Sequence, residues 1–96
     1  IIILNNNYLG MVRQWQELFF DRRYSFTEMV NPEFTKIAEA YGIESESVSV
    51  KSEVPLALNR LLDSKESYLL EVKVEKEDNV FPMIPTGASV SDIRLE

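Results

Sequence analysis

The chain contains no cysteine and no histidine. Without thiols there is no disulfide framework and no thiolate metal site. Without imidazole, the commonest general base and the commonest transition-metal ligand are both missing. A metal held here must therefore be a hard, oxygen-liganded cation such as magnesium or calcium. Basic residues are in the minority, ten Lys and Arg against sixteen Asp and Glu, for a net charge of −6. No basic face of the kind a nucleic-acid binder presents is evident, so nucleic acid is not expected as a partner. No apolar run approaches the roughly 20 residues needed to span a bilayer. Ile1-Ile2-Ile3-Leu4 is too short for a secretory signal and lacks a basic start. No membrane partner and a cytoplasmic location are the expectations.

What is present is an ordinary globular composition, 45% hydrophobic and 27% charged in 96 residues, enough for one domain. The chain opens without methionine on a fully apolar run, which suggests a piece of a longer protein. Ile1 to Leu4 is rich in β-branched residues and reads as a strand buried on both faces, as in a parallel sheet. Asn5-Asn6-Asn7 marks the turn at its carboxyl end. Leu9 to about Phe20 reads as a helix, with Val12, Trp15 and Phe19 on one stripe and Met11, Trp15 and Leu18 on the next. A helix so apolar on two sides is expected to pack against more than one neighbour.

Residues 21–30 have no clean period and read as a loop. Asn31-Pro32-Glu33 is a helix start, with an Asn N-cap and Pro at the first helical position. Phe34, Ile37, Ala38 and Tyr41 follow at helical spacing, and Gly42 supplies the stop. Ser47 to Val50 alternates and reads as a strand. Ser52 can cap a third helix with Pro55 in its first turn, and Val54, Ala57, Leu58, Leu61 and Leu62 make its apolar face. Tyr68 to Val74 is a third strand. Beyond Glu75 the pattern fades into a segment with two prolines and a glycine. Glu75, Glu77 and Asp78 read as a solvent-facing charge run, and Arg22 and Arg23 as solvated bases. Strands alternating with helices predict an α/β fold, a parallel sheet of about three strands with flanking helices. The triple-isoleucine strand is expected at its centre.

Ligands of open α/β sheets bind at the carboxyl ends of strands. Asn5-Asn6-Asn7-Tyr8-Leu9-Gly10 lies there, just before a helix N-terminus whose free amides suit a diphosphate. A carboxamide oxygen and a backbone carbonyl are reasonable magnesium ligands, and Gly10 lets a phosphate approach the backbone. Read locally, the same turn is an asparagine-rich helix cap. Trp15 and Met11 on an amphipathic helix are by default core residues.

The stretch Ile1 to Leu18, with Asn5-Asn6, Tyr8-Leu9-Gly10-Met11-Val12 and Gln14-Trp15, resembles the catalytic subunits of acetolactate synthase (acetohydroxyacid synthase). It is similar to the segment holding the second, Asn-Asn half of the thiamine-diphosphate motif. Asn79-Val80-Phe81-Pro82-Met83-Ile84-Pro85 and Gly87-Ala88-Ser89 resemble the family's distal signature, and Pro32-Glu33-Phe34 through Gly42 looks familial too. The resemblance implies a partial thiamine-diphosphate-binding fold, with residues 1–78 the C-terminal part of that domain and residues 79–96 an extended tail that folds over the active site.

It also implies roles. Asn6 would give its side-chain oxygen, and Tyr8 its backbone carbonyl, to Mg2+. Leu9, Gly10 and Met11 would line the diphosphate, largely through backbone. Met11 and Trp15 would face the substrate channel, where the tryptophan favours 2-ketobutyrate over pyruvate as second substrate and belongs to the herbicide-binding surface. FAD in the intact enzyme would bind outside this segment. Implied partners are small 2-ketoacids, the remainder of the catalytic subunit in a homo-oligomer, and a regulatory small subunit. The chain contains no Gly-Asp-Gly, so the carboxylate magnesium ligand of the motif is missing, and it holds no catalytic acid, base or nucleophile for the reaction. Alone it is expected to be inactive, to bind cofactor weakly if at all, and to self-associate through an exposed sheet edge. Two other readings remain: another thiamine-diphosphate enzyme of glyoxylate carboligase or pyruvate oxidase type, and a non-catalytic α/β interaction module.

Overall fold

A computed structural model describes residues 1–96. Its elements are β1 (Ile2–Asn5), α1 (Gly10–Phe19), α2 (Phe34–Ala40), β2 (Glu44–Val48), α3 (Val54–Asp63) and β3 (Tyr68–Lys73), with single 3-10 turns at Lys51–Glu53 and Val90–Asp92. The three strands form one parallel sheet in the order β1-β3-β2, with Ile2 beside Leu70 and Glu44 beside Tyr68. This is the expected thin parallel α/β arrangement. No helix is long and apolar enough to cross a membrane.

The centre of the sheet is β3, not the triple-isoleucine strand. All five residues Tyr68 to Val72 are buried, while Ile2 and Leu4 of β1 are exposed. β3 is the one strand here with a neighbour on each edge, and both α2 and α3 pack against it, which is what removes it from water. The core gathers Val48, Ala57, Tyr68, Leu70 and Val72, with Val54, Leu58 and Leu61 of α3 packed against them. Leu70 is fully enclosed at 0% exposure. Val54, Ala57, Leu58 and Leu61 of the predicted α3 face meet the sheet, whereas Leu62, also assigned to that face, is 75% exposed; Pro55 sits in the first turn as expected. Ser52 does not cap that helix; a 3-10 turn leads into it instead.

Two boundaries differ from the sequence reading for identifiable reasons. Helix α2 begins at Phe34, with Glu33 at the cap and no side-chain cap bond. Asn31 does not serve it because its carboxamide donates to Asn5 Oδ1 at 2.9 Å and to Asn7 Oδ1 at 3.3 Å. A long-range polar contact has overridden a local preference. Strand β2 runs earlier than predicted, from Glu44 to Val48. Glu46 fixes that register by accepting hydrogen bonds from Arg60 and from the Tyr68 hydroxyl.

Gly42 ends α2 as the sequence suggested. It lies at φ +69, and Ile43 N–H donates to Ala38 O at 2.9 Å while Gly42 N–H donates to Glu39 O at 2.9 Å. That is the paired closure of a left-handed helix stop. A Cβ at Gly42 would meet no atom within 4 Å, so only backbone strain opposes a side chain there. Gly42→Ala is expected to destabilise the fold by about 1–2 kcal/mol, read as an earlier midpoint in urea unfolding. An unchanged curve would show that the turn relaxes without strain.

Helix α1 behaves differently from α2 and α3, which pack on the sheet. Its buried residues are Arg13 and Gln14, not the predicted apolar stripes, and Met11, Val12, Trp15 and Phe19 are exposed. The helix is anchored by polar clasps. Gln16 Nε2 donates to Ser25 O, and Gln16 Oε1 accepts from Thr27 Oγ1.

Candidate functional site

The site is built where β1 ends. Asn5 closes the strand, and two overlapping side-chain turns follow. Asn5 Oδ1 accepts the Asn7 N–H at 3.0 Å, and Asn6 Oδ1 accepts the Tyr8 N–H at 3.0 Å. Asparagine suits this geometry because its short carboxamide mimics a backbone turn and tolerates a left-handed conformation. Asn7 takes that conformation, at φ 57. The loop after α1 then clamps the turn. Met29 N–H donates to Asn7 O and Leu9 N–H donates to Thr27 O, both at 2.8 Å.

The chain turns into α1 at Gly10. No side chain caps this helix, and the amides of Gly10, Met11 and Val12 have no hydrogen-bond partner within the chain. Three unpaired N–H groups at the positive end of a helix dipole favour an anion. The Tyr8 carbonyl accepts no hydrogen bond, and Asn6 Oδ1 has used one of its two lone pairs. Both are hard oxygen donors. A Cβ at Gly10 would lie 3.2 Å from Asn6 Nδ2, so the glycine keeps the space beside that carboxamide open. These donors suit a magnesium ion and the diphosphate it accompanies. They could supply only part of a magnesium shell, which takes about six oxygens, and no cluster of three or more acidic side chains able to hold a metal is present in the chain.

Behind the turn lies a buried polar group that sequence reasoning missed. Glu71, in the middle of β3, is 6% exposed. Its Oε1 accepts from Asn5 Nδ2 at 2.6 Å and its Oε2 accepts from Ser47 Oγ at 2.6 Å. Burial works to raise its pKa, but the hydrogen bonds from Ser47 and Asn5, with Lys73 nearby, outweigh it and hold the carboxyl below its ordinary value. The one signal in the sequence was an acid set between Leu70 and Val72 in an otherwise apolar strand.

The tail from residue 79 onward is tied to α1. Gln14, 1% exposed, donates through Nε2 to Val80 O at 3.0 Å and accepts the Val80 N–H through Oε1 at 2.8 Å. One residue earlier, Arg13 forms a two-pronged bond to Glu77 at 2.8 and 2.9 Å, and also donates to Lys76 O. Its guanidinium lies 4.6 Å from the Tyr24 ring centroid and 5.3 Å from that of Tyr8. Burial opposes the charge on Arg13, but the bond to Glu77 and the nearby Tyr24, Glu77 and Glu17 more than compensate and raise its pKa. Glu77 is therefore not a purely solvent-facing residue, as its charge run had suggested.

The tail then folds back on itself, with Met83 and Arg94 exchanging backbone hydrogen bonds. Met83 to Thr86 form one wall of a cleft of about 500 Å³, and Met11, Trp15 and Phe19 of α1, with Phe20 just beyond it, form the other. The cleft is mainly apolar and receives both predicted channel residues. Asn6, Tyr8, Leu9, Gly10, Met11 and Trp15 thus fall on one continuous turn and helix. Arg22 and Arg23 stand apart from the cleft's lining.

The family profile described as thiamine pyrophosphate enzyme, C-terminal TPP binding domain, matches residues 1–72. Among curated proteins, the chain is 46% identical to the acetolactate synthase isozyme 2 large subunit of Escherichia coli (strain K12), over 97% of this chain and 17% of that protein. It is 42% identical to the mitochondrial acetolactate synthase catalytic subunit of Saccharomyces cerevisiae, over 96% of this chain and 13% of that one. It is 36% identical to the chloroplastic acetolactate synthase 1 of Oryza sativa subsp. japonica, over 100% of this chain and 16% of that one. The chain spans between 13% and 17% of the length of these relatives.

Proposed function

The chain belongs to the thiamine pyrophosphate enzyme family, as its C-terminal TPP-binding domain, and from that premise we propose that it is the C-terminal part of an acetolactate synthase catalytic subunit. The intact enzyme would be a transferase that condenses pyruvate with a second 2-ketoacid, feeding branched-chain amino acid biosynthesis. Residues 1–78 would complete the cofactor domain and residues 79–96 would form the tail over the active site.

The observation that carries the reading is the pairing of two features on one helix. The open turn Asn5–Gly10 carries free amides at the start of α1 and free oxygens beside them, donors that suit an anion and a hard cation. On the same helix, Met11 at its start and Trp15 one turn on line an apolar cleft walled by the tail. Asn6 Oδ1 and the Tyr8 carbonyl would hold Mg2+, and the backbone at Leu9, Gly10 and Met11 would receive the diphosphate. Bound thiamine diphosphate supplies the electron sink for decarboxylating one 2-ketoacid and joining what remains to the second. The residues of this chain orient and enclose: the Asn6 turn fixes the charged end, and the Trp15 wall excludes water from the incoming apolar chain. No acid or base in the chain lies in the cleft to move a proton, so that task falls to other parts of the enzyme. FAD would likewise bind elsewhere in the subunit, and homo-oligomers and a regulatory small subunit are the assemblies this reading entails.

The test is an assay of the full-length protein with pyruvate, thiamine diphosphate, Mg2+ and FAD. Acetolactate formation that stops on chelating the metal is the expected result. Decarboxylation to acetaldehyde, or oxidation of pyruvate, without carbon–carbon bond formation would move the chain to another branch of the family.

A further inference from the structure

Glu71 is the one buried carboxylate in the fold, and the proposed chemistry gives it no task. It is enclosed in the central strand and bridges its two neighbours, with Oε2 held by Ser47 of β2 and Oε1 by Asn5, the residue that opens the Asn5–Tyr8 turn. A buried carboxylate is retained at a cost in desolvation unless its hydrogen bonds are complete. Ser47 at 2.6 Å and Asn5 at 2.6 Å complete them here.

A carboxylate only accepts hydrogen bonds. Asn5 must therefore turn its NH2 toward Glu71, which sends its Oδ1 in the opposite direction. That oxygen accepts the Asn7 N–H at 3.0 Å and the Asn31 Nδ2 at 2.9 Å. Were the carboxamide reversed, its NH2 would face two donors and the turn would lose both bonds. Glu71 thus selects the one orientation of Asn5 that closes the turn on which Asn6 and Tyr8 sit. Asn31 adds the second arm, tying the loop before α2 to the same oxygen and to Asn7 Oδ1.

We propose that Glu71 is a positioning residue for the metal end of the cofactor site, acting through Asn5 to hold the Asn6–Tyr8 turn in its metal-binding geometry. The inference rests on the reading of Asn6 and Tyr8 as magnesium ligands. Residues that orient metal ligands from behind alter affinity by about 10- to 100-fold when removed.

The experiment uses the full-length enzyme and MgCl2 titrations of the metal-free protein in saturating thiamine diphosphate, followed by tryptophan fluorescence without substrate. Glu71→Met keeps the length of the side chain and removes the acceptors, leaving Asn5 free to reverse. It is expected to weaken Mg2+ binding on the order of 10- to 100-fold, with kcat at saturating Mg2+ near that of the parent. Glu71→Gln still offers an oxygen to Asn5, and the Ser47 hydroxyl can rotate to accept from the new NH2. It is expected to lose about fivefold or less, the difference between a charged and a neutral acceptor. A general structural role predicts another pattern, with kcat falling and both variants losing metal affinity alike. Equal losses in the two variants, or a Glu71→Met loss below fivefold, overturn the proposal. If Glu71→Met does not fold, Asn31→Ala tests the same device from its other arm, and unchanged Mg2+ affinity in that variant overturns it too. If the parent enzyme itself shows no Mg2+-dependent signal, it is the magnesium assignment that fails, not the role of Glu71 alone.

Discussion

Asn6→Ala in the full-length enzyme is expected to weaken Mg2+ binding by about 100-fold or more, beyond the range seen when only a supporting residue is lost. The effect has two parts. The substitution removes one oxygen donor outright. It also removes the acceptor of the Tyr8 N–H at 3.0 Å, and with it the turn that presents the Tyr8 carbonyl. The two proposed ligands therefore fall together. Asn6→Asp separates the parts, because a carboxylate still accepts from Tyr8 and still offers a hard oxygen to the metal. Its affinity should stay within about tenfold of the parent, as expected where a donor is exchanged and the turn survives. The readout is the MgCl2 titration by tryptophan fluorescence in the absence of substrate. A parental titration curve for Asn6→Ala would sink the assignment of Asn6 to the metal. Gly10 belongs to the same argument, since a Cβ there would press on Asn6 Nδ2 at 3.2 Å.

How much of this was legible in the sequence can be judged element by element. The β-branched run at Ile1–Leu4, the asparagine turn and the start of α1 were readable because each depends on neighbours within a few residues. The Gly42 stop was readable for the same reason, since its left-handed backbone is a local demand. The apolar face of α3 was readable because its partner is the sheet itself. The misreadings concern residues whose partners lie far along the chain. Asn31 has the right chemistry for an N-cap, but Asn5, 26 residues away, takes its carboxamide instead. Arg13 and Gln14 look like the wet side of an amphipathic helix, and they are its buried side because Glu77 and Val80 come back to meet them. Of the two apolar stripes read on α1, Met11, Trp15 and Phe19 line an open cleft, and Val12 and Leu18 do not. Strand order was likewise beyond local reading: a run of isoleucines signals burial, but pairing on both sides belongs to β3.

This inversion of α1 gives the cleft its chemistry and leads to the second large effect. Polar residues tether the helix, which frees its aromatic face to line the cleft. Gln14 holds Val80 by two hydrogen bonds, and so sets Met83 to Thr86 opposite Trp15. Trp15 is 46% exposed, a large flat apolar surface that the chain itself does not cover. On the proposed reading, Trp15 would favour 2-ketobutyrate over pyruvate as the second substrate. The two ketoacids differ by one methylene, and an apolar wall can discriminate on that basis by about 10- to 200-fold. Trp15→Leu in the full-length enzyme is expected to remove most of this preference, a drop of about tenfold or more in the ratio of acetohydroxybutyrate to acetolactate formed from equal ketoacid concentrations. Acetolactate formation from pyruvate alone should persist, because the charged end of the site is held by the Asn6 turn and not by the cleft. A fall in both products with an unchanged ratio would instead make Trp15 a packing residue, with the discrimination carried by some other surface. The two outcomes are separable because the indole stands on the wall of the cleft while the fold's enclosed core is centred on Leu70, on a different element.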